Sequence, residues 1–133
     1  MEARKMAILR EEDVILARQL VRKMAADMTF NLVDQTRLAT AVSELTRNAV
    51  EYARSGDIRM EPVKNRLRRE GLKIVVSDNG PGIADIEQAM TMGFTTSNGL
   101  GAGLPGTRQL VDEFDIRSTS GSGTTVTIVM WKR

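Results

Sequence analysis

Ser43-Glu44-Leu45-Thr46-Arg47-Asn48-Ala49-Val50-Glu51-Tyr52 is the stretch on which the fold turns. Leu45, Ala49 and Tyr52 continue a stripe begun by Leu38, Ala41 and Val42, with the three- and four-residue spacing of an amphipathic helix. Asn31 or Asp34 can cap its start, and Ser55-Gly56 ends it. Glu44 and Asn48 stand four apart and therefore stack on one side of this helix, about 80–120° from the centre of the apolar stripe. A carboxylate and an amide are thus held at the margin of the core. Polar side chains there are either a solvated flank or part of a site.

Toward residue 1, Val14, Ala17, Val21, Met24, Ala25 and Met28 recur at helical spacing and predict a helix over about 12–29, preceded by an edge strand at 6–9. On the other side, residues 58–63 and 72–77 read as strands. The run Ile74-Val75-Val76 makes the second of them central, and Pro62 makes its partner irregular or near an edge. Residues 114–119 and 124–131 alternate and are rich in β-branched side chains, and Gly121-Ser122-Gly123 between them predicts a closing hairpin. Between the two strand pairs come Asp78-Asn79-Gly80-Pro81-Gly82, a short helix from about 85 to 92, glycine-rich sequence, and a third long helix starting near Leu104-Pro105. The order is β-α-α-β-β-α-loop-α-β-β, an α+β sandwich.

At 133 residues with 41% hydrophobic and 27% charged side chains, the chain fits one globular domain over 1–133 that buries roughly two thirds of its unfolded surface. Uninterrupted apolar runs reach only four residues, so neither a membrane span nor a secretory signal is expected and the chain should act in the cytoplasm. It has no cysteine and no histidine, which excludes disulfides, thiol chemistry, the usual zinc ligands and the commonest general base. Acid–base work must fall to carboxylate, lysine or tyrosine. A net charge of +2 is too small for a sequence-independent hold on nucleic acid. The one dense basic stretch, Lys64, Arg66, Arg68 and Arg69, has no interleaved aromatics and reads as a solvated hairpin tip or as a patch for an acidic partner.

Glycine is concentrated between Gly80 and Gly106, and Gly99-Leu100-Gly101-Ala102-Gly103 immediately precedes the third helix. Main-chain N–H groups there could cradle phosphate with help from the helix N-terminus, although such glycines also mark ordinary loops. No Gly-Lys-Ser/Thr follows, so this is not a P-loop of the Walker type. Its place before the third helix, with no acidic residue closing a following parallel strand, argues against a dinucleotide site.

A helix Glu44–Asn48 pair, a buried strand ending in Asp78-Asn79-Gly80-Pro81-Gly82-Ile83, the stretch Gly99-Leu100-Gly101-Ala102-Gly103-Leu104 and Gly123-Thr124 on the last strand follow one another in this order. Together they resemble the N box, two glycine boxes and closing-strand threonine of the Bergerat-fold ATPases, the superfamily of gyrase, Hsp90, histidine kinases and MutL. The resemblance implies a two-layer α/β sandwich whose mixed, mostly antiparallel sheet carries helices on one face. The small size, the Ser-Glu-Leu-Thr-Arg-Asn form and Gly-Leu-Gly-Ala-Gly-Leu-Pro-Gly look most like the RsbT-type serine/threonine switch kinases of the bacterial stressosome. Anti-sigma kinases of the RsbW and SpoIIAB type are near neighbours.

That resemblance implies ATP and Mg²⁺ as cofactors. Glu44 would be the base for the substrate hydroxyl, or only an orienting charge, and Asn48 would be the protein ligand to Mg²⁺. Asp78 would accept from the adenine amino group with Thr124 beside it, although an aspartate there also caps a turn. Gly80, Gly82 and Ile83 would lie along the adenine; Gly99, Leu100, Gly101, Ala102, Gly103 and Leu104 would wrap the phosphates. Gly93-Phe94-Thr95-Thr96 would form the stem of a lid, with Phe94 in the core. One departure is that no Lys or Arg lies between 94 and 105, where related kinases often offer a cation to the γ-phosphate. Arg108 on the third helix is a candidate for that role, whereas Arg47 should face the surface or a partner. The partners implied are a STAS-domain antagonist (RsbS-like), a stressosome scaffold (RsbR-like) and a PP2C-type phosphatase (RsbU-like) that the released kinase activates, with no nucleic acid and no membrane. The alternatives are an anti-sigma factor that sequesters a sigma subunit and a non-catalytic nucleotide-gated module. A histidine-kinase catalytic domain is disfavoured because the chain carries no histidine to receive phosphate.

Overall fold

The computed structural model describes residues 2–53, 55–82, 90 and 100–133, of which 100–102 by backbone alone. The elements run β1 (Arg4–Ile8), α1 (Glu11–Asp27), α2 (Leu32–Tyr52), β2 (Gly56–Lys64), β3 (Glu70–Asp78), α3 (Leu100–Leu110), β4 (Glu113–Ser118) and β5 (Thr124–Trp131). The sheet order is β1-β2-β3-β5-β4, which puts apolar β3 in the middle and β1 at an edge, as the sequence predicts. All four pairings are antiparallel; the parallel pairing that a mixed sheet would add is not among the described residues. Pro62 sits beyond the last β1–β2 pair, Arg4 with Met60, where β2 has a neighbour on one side only and a missing N–H is tolerated.

Register explains which face is buried. Met6, Ile58, Val76, Val126 and Ile116 form one row across all five strands, and Met60, Ile74, Ile128 and Phe114 the next. Ile58, Met60, Ile74, Val76, Val126 and Ile128 are all buried in one core with Leu38, Ala41, Val42, Leu45 and Ala49 of α2. The alternate rows carry Lys5, Arg59, Val75, Thr127 and Asp115, then Ala7, Asp57, Ser77, Thr125 and Arg117, so this face is mostly polar, and among the described residues the helices pack on the other.

Of the two candidate caps for α2, Asn31 is the one used: its side chain accepts the Asp34 N–H at 2.8 Å. Asp34 turns inward instead. Only 2% exposed, it lies 3.0 Å from Arg133 Nε, and Arg133 also reaches Asp112 at 2.6 Å. The hydrogen bond that Arg133 donates to Asp112 first, and the charges of Asp112 and Asp34 after it, hold the Arg133 guanidinium above its ordinary pKa. Arg133→Ala leaves a buried carboxylate short of its cation, so the folded state should lose about 1–3 kcal/mol. Urea unfolding monitored by circular dichroism checks this, with Arg133→Lys recovering part of the loss.

Two expectations need revision or fall outside view. The third helix starts at Leu100, four residues earlier than expected, so Pro105 lies inside it and Gly101 and Gly103 belong to its first turns rather than to a loop before it. Pro105 has no N–H to return to the preceding turn, and glycine is a poor helix former, which is why the sequence argues for a later start. Packing overrides both: Leu104 and Thr107 are buried, α3 lies on α2, and Thr107 Oγ1 donates to the Gly103 carbonyl at 2.7 Å. The short helix expected at about 85–92 and the lid stem at 93–96 lie outside the described residues, apart from Met90, which packs against the core.

Candidate nucleotide site

Glu44, Asn48 and Tyr52 occupy successive turns of one side of α2. The Glu44 side chain is 38% exposed, and its Oε1 lies 3.4 Å from Arg47. Asn48 and Tyr52 point further inward: the Asn48 Nδ2 and the Tyr52 hydroxyl are buried and have no hydrogen-bond partner among the described residues. Two orphaned polar groups on an otherwise aliphatic stripe are costly unless a ligand or water meets them.

The facing wall comes from the sheet. Asp78 follows Ile74 and Val76 at the two-residue period of β3, so its carboxylate continues the inward row and looks toward α2 instead of solvent. Its register partners are Gly56 on β2 and Thr124 on β5. One carboxylate oxygen accepts the Gly80 N–H at 2.8 Å, which caps the turn and leaves the second oxygen for a ligand. Thr124 Oγ1 is 2.8 Å from Ser118 Oγ. Gly123 holds φ +85°, and a Cβ there would overlap the Asp78 carbonyl; Gly82 holds φ +76°, and a Cβ would overlap the Thr119 carbonyl. Both glycines let the closing hairpin sit directly against the turn that carries Asp78.

Between the walls lies a partly open cleft. Leu45, Val76, Leu104 and Val126 make its sides apolar, while Asn48, Asp78, Thr124 and Tyr52 supply the polar groups. A flat heteroaromatic ring with an exocyclic amino group matches this division: apolar faces on the ring, a carboxylate at its donor edge. At the other end α3 comes down on α2. A Cβ on Gly103 would stand 2.9 Å from Glu44 Oε2 and 3.9 Å from Asn48 Nδ2, so the first turns of α3 sit against both. N–H groups at a helix start have no intrahelical acceptor and attract phosphate.

Gly103→Ala therefore separates helix stability from the placement of Glu44. Alanine is the better helix former by about 1 kcal/mol, and among the described residues the one atom closer than 3 Å is the mobile end of the Glu44 side chain. The melting temperature should hold or rise in a thermal melt, while the Glu44 carboxylate is displaced from its place beside α3.

Of the residues singled out in the sequence, Asn48, Asp78, Gly82, Leu104 and Thr124 meet in the cleft, and Gly80 forms its turn. Glu44 stands one helical turn from Asn48, outside the cleft lining and beside Gly103. Ile83 and Gly99 lie outside the described residues, and Leu100, Gly101 and Ala102 are placed by backbone only, in the first turn of α3. Arg108 is exposed on α3 and does not line the cleft, so the described residues give no support to its γ-phosphate role. Arg47 is partly exposed as expected, but turns its guanidinium to Glu44. Tyr52 is the residue that sequence reasoning missed as a site group. Its signal is four-residue spacing from Asn48 and a hydroxyl on an aliphatic stripe, in a chain with one tyrosine.

The donor set fits Mg²⁺ held chiefly by a nucleotide. Among the described residues no cluster of three or more carboxylates could cage an ion, and the neutral side chain of Asn48, which lines the cleft beside Gly103, carries one carbonyl oxygen that could serve as a single protein ligand. Mg²⁺ keeps waters and takes few protein ligands when phosphates complete its octahedron.

Residues 33–133 match the family model described as histidine kinase-, DNA gyrase B- and HSP90-like ATPase. The chain is 49% identical over 126 residues to the serine/threonine-protein kinase RsbT of Bacillus subtilis, covering 95% of this chain and 94% of that one. It is 33% identical over 113 residues to the anti-sigma F factor of Thermoanaerobacter sp., covering 83% and 79%. Among solved structures, the RsbU and RsbW domains of a Mycobacterium tuberculosis protein superpose with a TM-score of 0.68 at 19% identity, over all of this chain and 33% of that one. The catalytic domain of histidine kinase ThkA superposes with a TM-score of 0.57 at 19% identity, over 99% and 98% of the two chains. At such identities the structures speak for the fold.

Proposed function

Because the chain belongs to the histidine kinase-, DNA gyrase B- and HSP90-like ATPase family, we propose that it is an ATP- and Mg²⁺-dependent protein serine/threonine kinase of a bacterial partner switch. Its substrate would be a STAS-domain antagonist, and on release it would activate a PP2C-type phosphatase. The stressosome, with an RsbR-like scaffold, and the cytoplasm belong to the same reading; among the described residues no helix is long and apolar enough to cross a membrane. The observation that carries it is the apolar cleft ending in Asp78, with the unpartnered Asn48 amide inside and the Glu44 carboxylate one turn beyond.

In this mechanism Asp78 accepts from the adenine amino group through the oxygen that Gly80 leaves free. Leu45, Val76, Leu104 and Val126 enclose the ring and exclude water. Asn48 and the N–H groups at the start of α3 orient the phosphates. Mg²⁺, when bound, neutralises phosphate charge as the leaving oxygen develops it. Glu44 takes the proton from the substrate hydroxyl while that oxygen bonds to the γ-phosphorus and the bond to the ADP oxygen breaks. Phosphoryl transfer asks mainly for positioning, and a half-exposed carboxylate beside the cleft is accessible to a protein hydroxyl in a way that a buried one is not.

The test is incubation with Mg²⁺, ATP and STAS-domain proteins, followed by mass spectrometry for acid-stable phosphate on serine or threonine. Acid-labile phosphate on a partner histidine would point to histidine-kinase chemistry, and ATP binding without any phosphoprotein to a non-catalytic switch. An anti-sigma role ranks second on the lower identity to the anti-sigma F factor, and direct capture of a sigma subunit would support it.

A further inference from the structure

α1 and α2 pack side by side, and on the face away from the core they leave a groove that ends on Glu44. Arg18 and Arg22, one turn apart on α1, form one wall; Thr40 and Ser43 lie along α2, and Arg47 stands with Glu44 at the inner end. From Thr36 to Arg47 the groove follows α2 for about 16 Å, the length of roughly five residues of extended chain.

Its charge is one-sided. Arg18 and Arg22 are exposed, and among the described residues neither has an ion-pair partner, although Lys23 next to them is paired with Asp27 at 2.9 Å. Among the described residues Glu44 is the one acidic side chain lining the groove, and it is already opposite Arg47. The hydroxyls of Thr36 and Ser43 are turned back to the carbonyls of Leu32 and Ala39, so they do not compete as donors. Two guanidinium groups with planar, two-pronged donor sets, those of Arg18 and Arg22, are therefore left without a carboxylate along a groove that ends at Arg47 and the candidate base.

We infer that this groove docks the protein substrate by binding an acidic segment that flanks the phosphoacceptor hydroxyl. Arg18 and Arg22 hold carboxylates of that segment, and the hydroxyl is delivered to the inner end, where Glu44 stands one helical turn from Asn48 of the cleft. Docking and nucleotide binding are then separate: none of the three arginines lines the nucleotide cleft. The inference rests on the kinase reading above and adds to it the charge of the substrate.

The experiment compares wild type with Arg18→Glu/Arg22→Glu in steady-state transfer to a STAS-domain protein, and in calorimetric binding of the same protein in the presence of ADP. The double variant should raise the KM for the protein at least tenfold and weaken binding by a similar factor, with kcat within about threefold and ATP affinity unchanged. Arg18→Gln/Arg22→Gln should fall between. Replacing acidic residues beside the acceptor hydroxyl by lysine should rescue the double variant and impair wild type. Both arginines are exposed, and a thermal melt confirms that the variants fold. Unchanged KM and binding would overturn the inference while leaving the kinase reading intact. So would a variant that loses only self-association in sedimentation equilibrium, since the occupant would then be a second copy of the chain. Binding that depends on the arginines without any phosphoprotein would uphold the groove and defeat the kinase reading. Failure of every STAS-domain protein to bind wild type would overturn the inference too.

Discussion

Asp78→Asn is expected to weaken ATP binding by about 10- to 100-fold, the loss of one hydrogen bond to a charged group in an enclosed site. The substitution keeps the side chain's size and one oxygen, so the 2.8 Å bond from the Gly80 N–H and the turn it caps persist. What changes is the edge turned to the base: an amide NH₂ would face the adenine amino group, donor against donor. GTP, which presents a carbonyl at the corresponding position of its base, should lose less or gain. Calorimetric titration with ATP and GTP, alongside a melting curve, checks both statements. A variant that binds ATP as wild type does would remove Asp78 from the site.

Glu44→Gln should act on the other half of the reaction. A positioned general base is worth about 10²- to 10⁴-fold in rate, and glutamine cannot take the proton. Because Glu44 lies outside the lining of the cleft, ATP affinity should stay within about threefold. The 3.4 Å contact with Arg47 runs through Oε1, which the amide oxygen can replace, so the local geometry survives. If Glu44 serves only as an orienting charge, the loss should be tenfold or less, and the pH dependence of turnover should be the same in variant and wild type.

Much of this was legible because two periods run through the chain. The four-residue spacing of Glu44 and Asn48 placed both on one side of α2, and the apolar run Ile74-Val75-Val76 made the strand that ends in Asp78 central. The Gly121-Ser122-Gly123 turn and the alternating strands around it fixed the closing hairpin that brings Thr124 beside Asp78. Other features depend on contacts that no local pattern encodes. The early start of α3 comes from packing of Leu104 and Thr107 against propensity, and the inward turn of Asp34 from Arg133, which is distant in sequence. Tyr52 reads as one more apolar residue until the sheet encloses its hydroxyl. The groove of Arg18, Arg22 and Arg47 draws on two helices, so only their packing shows that the three cations share one surface.

The central claim is that this chain moves the γ-phosphate of ATP to a protein hydroxyl with Glu44 as the base. A single-turnover experiment with labelled ATP, a STAS-domain acceptor and enzyme in excess tests it most directly, with wild type and Glu44→Gln run side by side after both are shown to bind ATP. The account predicts acid-stable label on the acceptor within the wild-type time course and at least a hundredfold slower transfer by the variant. Transfer by Glu44→Gln at the wild-type rate, or no labelled acceptor from ATP-loaded wild type, would contradict it.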